Sequence, residues 1–282
     1  MNYMMMAVMV LGGVALVAAV VLYTVSRKFA VEEDPRIGRV AACLPGANCG
    51  GCGYAGCAAL AEALVKGADA GSLDGLQCPV GGAGLMAQIA AELGMEAVAS
   101  EPMVAVVRCG GTCELRPRTV QYDGLQTCAA VHATCSGETA CGYGCLGCGD
   151  CSTSCQFGGL RINPETGLPE VDETLCTGCG SCVKACPRHI IELRKRGPKN
   201  RRVYVGCMNR DKGAAARKAC TAACIGCGKC EKVCKFEAIT ISGNLSYIDY
   251  NKCRLCTKCV AECPTGAIMK VNFPVKQKET EV

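Results

Sequence analysis

The chain has 282 residues, of which 28 are Cys and 35 are Gly, and it has no Trp and only 4% aromatic residues. Because ordinary domains build their cores from aromatic and branched side chains, this composition predicts that metal sites replace much of the core and that the metal-free chain is largely unfolded. The formal charge of +5 is modest, and the many Cys-x2-Cys pairs favour metal chelation in a reducing compartment over a secreted disulfide scaffold.

The first predicted element is a membrane anchor. Residues 4–23 carry no charge, and at about 1.5 Å per residue they span roughly 30 Å, the thickness of one bilayer core. A secretory signal peptide would carry cations before the apolar run, whereas here Arg27 and Lys28 follow it, which places the downstream chain in the cytoplasm. We therefore expect residues 1–28 to be a single-pass anchor in the cytoplasmic (inner) membrane. With no ionisable side chain in the span, this helix alone is no ion pathway.

Residues 29–102 are expected to form a linker and a small helical domain around a [4Fe-4S] cluster. Three cysteines on a Gly-rich loop and a fourth one further on form the pattern Cys49-x2-Cys52-x4-Cys57-x20-Cys78. Four thiolates in this pattern suit one cubane cluster, with tetrahedral zinc as the alternative. Residues 29–102 have a net charge of −6, whereas residues 103–282 have a net charge of +9.

The rest of the chain carries the pattern Cys-x2-Cys-x2-Cys-x3-Cys four times. This is the spacing by which bacterial ferredoxins hold [4Fe-4S] clusters, with the fourth Cys of each run ligating the other cluster of the pair. The pattern therefore predicts two double-cluster modules, at residues 103–197 and 198–282. The expected ligand sets are Cys145, Cys148, Cys151 with Cys186; Cys176, Cys179, Cys182 with Cys155; Cys224, Cys227, Cys230 with Cys263; and Cys253, Cys256, Cys259 with Cys234.

The two halves look like a duplication. Each begins with a short β-type run that ends in Cys, at residues 104–109 and 202–207, and each has a Cys four residues before its first motif. The expected fold class is α+β, made of small iron–sulfur modules: a single transmembrane helix, one helical [4Fe-4S] domain and two tandem bacterial-type 2[4Fe-4S] ferredoxin modules.

Five clusters are expected from the motifs, and the remaining cysteines leave room for a sixth. One ligand set is Cys109, Cys113, Cys128 and Cys141. Another uses the duplicated positions Cys109, Cys141, Cys207 and Cys220, and the sequence does not choose between the two. Iron analysis separates the counts, because five clusters hold about 20 Fe per chain and six hold about 24.

A dense basic run lies between the two modules. It comprises Arg194, Lys195, Arg196, Lys199, Arg201 and Arg202. A solvated loop is the ordinary interpretation, and contact with anionic lipid or steering of an acidic partner are the functional ones. Nucleic acid is not an expected partner, because the run lacks interleaved aromatic residues and the chain carries an anchor.

The arrangement resembles the B subunit of the Rnf ion-translocating electron-transport complex, in its long form with two double-cluster modules. The resemblance rests on the anchor, the run LPGANCGGCGYAGC at residues 44–57, Cys78-Pro79-Val-Gly-Gly and the ferredoxin repeats. It implies electron exchange with reduced ferredoxin and transfer to partner subunits of a ferredoxin:NAD oxidoreductase, an enzyme of the translocase class. No catalytic side chain and no NAD or flavin site are expected on this chain. The alternatives are a polyferredoxin of another membrane redox complex, such as a hydrogenase, and a redox sensor or cluster-assembly scaffold.

Overall fold

A computed structural model describes residues 2–28, 34–96 and 101–274 of the chain. The first helix, α1 (Asn2–Lys28), ends with Arg27 and Lys28 in its last turn. Among the described residues it is the one helix that is long and apolar enough to cross a membrane, over Met5–Lys28. The helix thus continues more than a full turn beyond the predicted span of residues 4–23.

Three helices form the helical domain: α2 (Pro35–Cys43), α3 (Cys57–Asp69) and α4 (Gly82–Glu92). Helix α2 begins with Pro at its first position, and the Asp34 carboxylate accepts the N–H of Arg36 at 2.8 Å, which satisfies a backbone donor that the helix leaves free. Apolar side chains at helical spacing face a common core. Its members are Val40, Leu44, Leu60, Ala61, Leu64, Val65, Leu73, Cys78, Met86, Ile89 and Ala90.

Both ferredoxin-type modules have the same strand topology. In each, the first strand pairs antiparallel with the last, and the two middle strands form a second antiparallel pair. The pairs are β1 (Met103–Val107) with β4 (Ile191–Lys195), β2 (Leu160–Ile162) with β3 (Pro169–Val171), β5 (Arg202–Val205) with β8 (Ile268–Val271), and β6 (Ile239–Ser242) with β7 (Leu245–Ile248). This repeat shows the duplication that the sequence pattern indicates.

Short helices connect the strands. They are α5 (Cys128–Thr134), α6 (Asp150–Thr153) and α7 (Ser181–Ala185) in the first module, and α8 (Gly213–Ala219), α9 (Lys229–Lys232) and α10 (Lys258–Ala261) in the second. Helices α6, α7, α9 and α10 each follow a residue with positive φ and carry the third Cys of one motif. Three of those preceding residues are glycines, which adopt this conformation without strain, and the fourth is Thr257 with φ of 60°.

Backbone hydrogen bonds join the two modules. The N–H of Gly110 donates to the carbonyl of Gly206 at 2.8 Å, and the N–H of Thr221 donates to that of Leu115 at 3.0 Å. Arg194 is 1% exposed and stacks near the rings of Tyr247 and Tyr250, at 5.2 and 5.7 Å from their centroids. The two modules therefore pack directly against each other.

The prediction that the basic run is a solvated loop is wrong for two of its six cations. Arg194 and Arg202 are buried, and they pair with the carboxylates of Glu192 and Glu173. The reason is that both lie on paired strands, Arg194 at a buried position of β4 and Arg202 at the start of β5, whose four residues are all buried. Arg194 and Arg202 are thus structural groups.

Candidate iron–sulfur sites

Site 1 lies in the helical domain and comprises Cys49, Cys52, Cys57 and Cys78. The Asn48 side chain accepts the N–H of Cys57 at 2.8 Å, which ties the Gly-rich loop to the start of α3. The N–H of Gly81 donates to the Cys78 sulfur at 3.4 Å. Burial, together with the Cys57 and Cys49 thiols, raises the pKa of Cys78. The Gly-rich loop, the start of α3 and the segment before α4 thus bring Cys49, Cys57 and Cys78 near one another.

Three further sites combine the first three cysteines of one motif with the last cysteine of the paired motif. Sites 2 and 5 each surround a cavity. In site 6, burial raises the pKa of Cys259, and the thiols of Cys253, Cys256 and Cys234 lie close enough to raise it further. Site 2 comprises Cys155, Cys176, Cys179 and Cys182; site 5 comprises Cys224, Cys227, Cys230 and Cys263; site 6 comprises Cys234, Cys253, Cys256 and Cys259.

Site 3 departs from the motif pattern. Its cavity is lined by Cys145, Cys151 and Cys186, as the spacing predicts, but the other thiol on the wall is Cys128. Cys148, the second residue of the motif, lies next to Cys128 and is not on the cavity wall. Site 3 therefore has five thiols in its neighbourhood.

Site 4 lies at the contact between the two modules. Its cavity is lined by Cys109 and Cys141 of the first module and by Cys207 and Cys220 of the second. Of the two ligand sets that the sequence left open, the structure brings together this one. Cys113 is exposed and elsewhere, with its sulfur against Gly167.

Polar side chains that carry no sequence signal hold site 4 in place. Asn209 is 1% exposed; its side-chain amide donates to the Cys141 sulfur at 3.6 Å, and its backbone N–H donates to the Cys207 sulfur at 3.4 Å. Arg188 donates to the carbonyl oxygen of Gly144 at 2.6 Å, and Arg116 donates to that of Cys145. Apart from the local Asn209–Cys207 contact, these residues are distant in sequence from their partners, so spacing alone does not reveal them.

The thiols of these sites are strongly desolvated. Burial, followed by the Cys109 thiol, raises the pKa of Cys145 to about 12. Burial and the thiols of the same motif raise the pKa of Cys182 and of Cys259 to about 12 as well. Burial raises the pKa of Cys207 to about 11. Without metal these thiols are protonated at neutral pH, so metal binding must displace their protons.

The donor set and the spacing fit iron–sulfur clusters better than single ions. Around a zinc ion, sulfur atoms would lie about 3.8 Å apart, since tetrahedral zinc has bonds near 2.3 Å. Among the described residues, no three His, Cys, Asp or Glu side chains converge closely enough to hold one ion. The cavities of sites 3, 5, 2 and 4 each have a volume of about 20 Å³. Site 4 thus matches the motif sites in size and in thiol number.

In the first half of the series, neighbouring sites touch. A Cβ atom built at Gly51 of site 1 would lie 2.6 Å from the carbonyl oxygen of Cys179 in site 2. The Lys184 ammonium, on α7, donates to the carbonyl of Gly50 at 2.9 Å. Sites 2 and 3 share one core, in which Cys182 and Cys151 pack together.

The second half continues the series. The N–H of Cys145 in site 3 donates to the Cys109 sulfur of site 4 at 3.5 Å. Ala223 lines the cavity of site 4, and the next residue, Cys224, lines that of site 5. Cys230 and Cys259, from sites 5 and 6, belong to one core cluster. The six sites therefore follow one another from the helical domain to the far end of the second module.

A basic cleft of about 740 Å³ opens beside site 6. Its wall includes Cys253 of site 6 together with Lys195, Arg201 and Arg254. The nearby Cys256 is exposed, so one thiol of site 6 reaches the surface. Four cations around this end of the molecule are solvent-exposed: Lys199, Lys252, Arg254 and Lys258.

Comparison with known families matches these regions. A model described as a putative Fe-S cluster matches residues 44–72. A model of a 4Fe-4S dicluster domain matches residues 144–190 and 223–267, and a second 4Fe-4S dicluster model matches residues 175–237.

Three curated relatives resemble nearly the whole chain. The B subunit of the Na⁺-translocating ferredoxin:NAD⁺ oxidoreductase complex of Acetobacterium woodii is 47% identical over 268 residues, which is 95% of this chain and 78% of the relative. The B subunit of the proton-translocating ferredoxin:NAD⁺ oxidoreductase complex of Clostridium ljungdahlii is 41% identical, over 96% of this chain and 94% of the relative. The B subunit of an ion-translocating oxidoreductase complex of Methanosarcina acetivorans is 42% identical, over 93% and 96% respectively.

Proposed function

Because the chain belongs to the family of B subunits of ion-translocating ferredoxin:NAD⁺ oxidoreductase (Rnf) complexes, we propose that it relays electrons between reduced ferredoxin and the other subunits of such a complex. The observation that carries the proposal is the unbroken series of six cysteine sites. A [4Fe-4S] cluster, when bound, takes up and releases one electron at a time. The chain's own residues hold the sites next to one another and exclude water from their inner thiols, such as Cys145, Cys182 and Cys259.

The geometry supports an assignment of the cluster ligands. We assign one cluster to each of sites 1, 2, 4, 5 and 6 with the four cysteines that define the site, and a sixth to site 3, where Cys145, Cys151 and Cys186 line the cavity. The corresponding division of the chain is an anchor over residues 1–28, a linker and helical domain over 29–102, and two ferredoxin-type modules over 103–197 and 198–282. The proposal assigns the NAD and flavin groups to other subunits of the complex.

The two ends of the series differ in charge, and this difference suggests where each partner binds. Site 6 combines an exposed thiol with exposed cations, which would attract an acidic ferredoxin. Site 1 lies in the acidic helical domain, which follows the membrane helix α1 and would face the membrane subunits. Electrons would therefore enter from ferredoxin at site 6 and leave from site 1. Ferredoxin is cytoplasmic, so the modules would lie on the cytoplasmic side of the membrane, as Arg27 and Lys28 also indicate.

Charge reversal around site 6 tests this assignment. We expect the triple variant Lys252→Glu, Arg254→Glu and Lys258→Glu, in the native membrane complex, to slow reduction by reduced ferredoxin about tenfold at low salt, because electrostatic steering is lost. Stopped-flow absorbance measures the rate, and the difference from the unmodified complex should shrink as salt screens the charges. Arg194 is excluded from the variant, because it is buried and its reversal would damage the fold.

A matched control lies in the same module. Lys212, Arg217 and Lys218 are three exposed cations on and next to α8, beside site 4 and not site 6. Reversing these three changes the net charge by the same amount and should leave the rate of reduction nearly unchanged. Equal slowing by both triple variants, or no slowing by the first, would refute ferredoxin binding at site 6.

A polyferredoxin of another membrane redox complex is the second candidate. It shares the series of sites and differs in its partners. Purification of the native complex, with identification of the co-purifying subunits and of iron content, separates the two. Subunits of a hydrogenase would refute the proposed function.

A further inference from the structure

The five thiols around site 3 raise the question of which four face the cluster. Sites 2 and 5 offer a direct comparison, because each is built on the same motif. In both, the second cysteine of the motif lines the cavity, namely Cys179 in site 2 and Cys227 in site 5. In site 3 the equivalent residue, Cys148, is not on the wall, and Cys128 takes its place.

The surroundings of the two thiols differ in the same sense. Cys128 is 9% exposed, whereas Cys148 is half-buried. The Cys148 thiol donates to the carbonyl oxygen of Leu146 in its own loop at 3.8 Å, which is a weak contact. Cys128 and Cys151 line the same cavity, so Cys128 lies beside an inner thiol of the site.

A side-chain bridge holds Cys128 at the cavity. The Asp150 carboxylate accepts the N–H of Cys128 at 2.8 Å and that of Ala129 at 3.0 Å. Asp150 is the first residue of α6 and immediately precedes Cys151, so one carboxylate connects the start of α5 to the helix that carries a ligand of the site. The Thr127 hydroxyl adds a cap on α5 by accepting the N–H of Ala130 at 3.2 Å. The position of Cys128 is therefore built into the fold.

The second module has no such thiol. Its helix α8 has the same length as α5 but begins with Gly213 where α5 begins with Cys128. A Cβ atom at Gly213 would lie 2.9 Å from the carbonyl oxygen of Ile225, the residue that follows Cys224 of site 5. That close approach favours glycine, and site 5 keeps the four thiols of the motif pattern.

We propose that Cys128, and not Cys148, is the ligand that joins Cys145, Cys151 and Cys186 at site 3. Cys148 is then a free thiol at the rim of the site. The inference rests on the proposed cluster at site 3, and it reverses the assignment that motif spacing predicts for this one position.

Alkylation of the unmodified, cluster-loaded protein tests the inference without any variant. The membrane complex is treated anaerobically with iodoacetamide, and the labelled cysteines are identified by mass spectrometry. We expect Cys148 to be labelled and Cys128 to be protected. Any result in which Cys148 is protected as completely as Cys128 overturns the inference.

Internal controls separate this outcome from failure of the proposed clusters. Cys227 and Cys256 are exposed in the structure, so their protection reports ligation and not burial. Cys113 and Cys135 are exposed and outside the sites, and they should be labelled. Labelling of Cys227 and Cys256 would refute the proposed clusters themselves, whereas protection of these two leaves only the Cys128 assignment under test.

Serine variants give a second, independent measurement. Cys148→Ser should keep its full iron content and the electron paramagnetic resonance spectrum of the reduced protein, whereas Cys179→Ser and Cys227→Ser, at the equivalent motif positions, should each lose about four Fe. Loss of about four Fe in Cys148→Ser, as in the two control variants, would contradict the inference.

Discussion

The helical domain and the second ferredoxin-type module bury similar numbers of side chains but of different kinds. Among the residues that the structure describes, the core of the helical domain has 11 buried residues, and Cys78 is the one cysteine among them. The core of the second module has 14 buried residues, and five of them are the thiols of Cys207, Cys220, Cys224, Cys230 and Cys259.

This difference means that the two regions depend on metal to different degrees. In the helical domain, aliphatic side chains such as Leu60 and Leu64 recur at helical spacing and bury apolar surface, which stabilises α2, α3 and α4 without a ligand. In the second module the paired strands have four residues each, too short for independent stability, and thiols occupy the places of core side chains. The cluster then supplies the folding free energy that apolar packing supplies elsewhere.

Iron removal should have the largest effect and should separate the two regions. We expect the iron-free protein to lose hydrogen-exchange protection throughout β5 to β8, while the amides of α3 keep part of theirs. Exchange measured by mass spectrometry on loaded and iron-free protein in detergent gives this comparison. The distinction between the two cores would be wrong if β5 and β8 stayed as protected as α3 after iron removal.

Loss of one site should have the next largest effect. Cys207→Ser and Cys220→Ser should each lower the iron content by about four from a total of about 24, because both residues line site 4. The matched control is Cys113→Ser, which removes an exposed thiol that belongs to the alternative ligand set. Iron loss in the control with full iron in the two variants would favour that alternative set.

The smallest expected effect concerns the contact between the helical domain and the first ferredoxin-type module. Gly51→Ala would place a Cβ atom 2.6 Å from the carbonyl oxygen of Cys179, and such overpacking costs about 1–3 kcal/mol. We expect the helical domain to move away from site 2, so that freeze-quench resonance spectra show slower reduction of site 1 at unchanged iron content.

The control for this variant is Gly142→Ala, where an added Cβ atom meets nothing within 4 Å. It should leave the transfer rate and the iron content unchanged. A Gly51→Ala protein that reduces site 1 at the original rate would show that the approach of Gly51 to Cys179 does not set the distance between the sites.

Much of the fold and of the candidate sites could be predicted from patterns within short segments of the sequence. The first three cysteines of the Cys-x2-Cys-x2-Cys-x3-Cys motif lie within a single loop and short helix. The motif therefore brings their thiols near one another regardless of how the rest of the chain folds. Likewise, the uncharged residues 4–23 identify a membrane helix by composition and length alone. The repeated β-type runs at residues 104–109 and 202–207 indicated two copies of one unit, because each copy repeats both the strand and the spacing that follows it.

The elements that could be predicted from the sequence are therefore those whose physics is local: the anchor, the motif loops, the two modules and the family to which they belong. Which distant thiols meet depends on tertiary packing. It joined Cys109 and Cys141 to Cys207 and Cys220 across the module contact, and it brought Cys128 to site 3 through the Asp150 bridge. The same packing buried Arg194 within a run that its sequence marks as solvated. Such contacts depend on how strands and helices far apart in the chain pack, and no spacing within one segment encodes them.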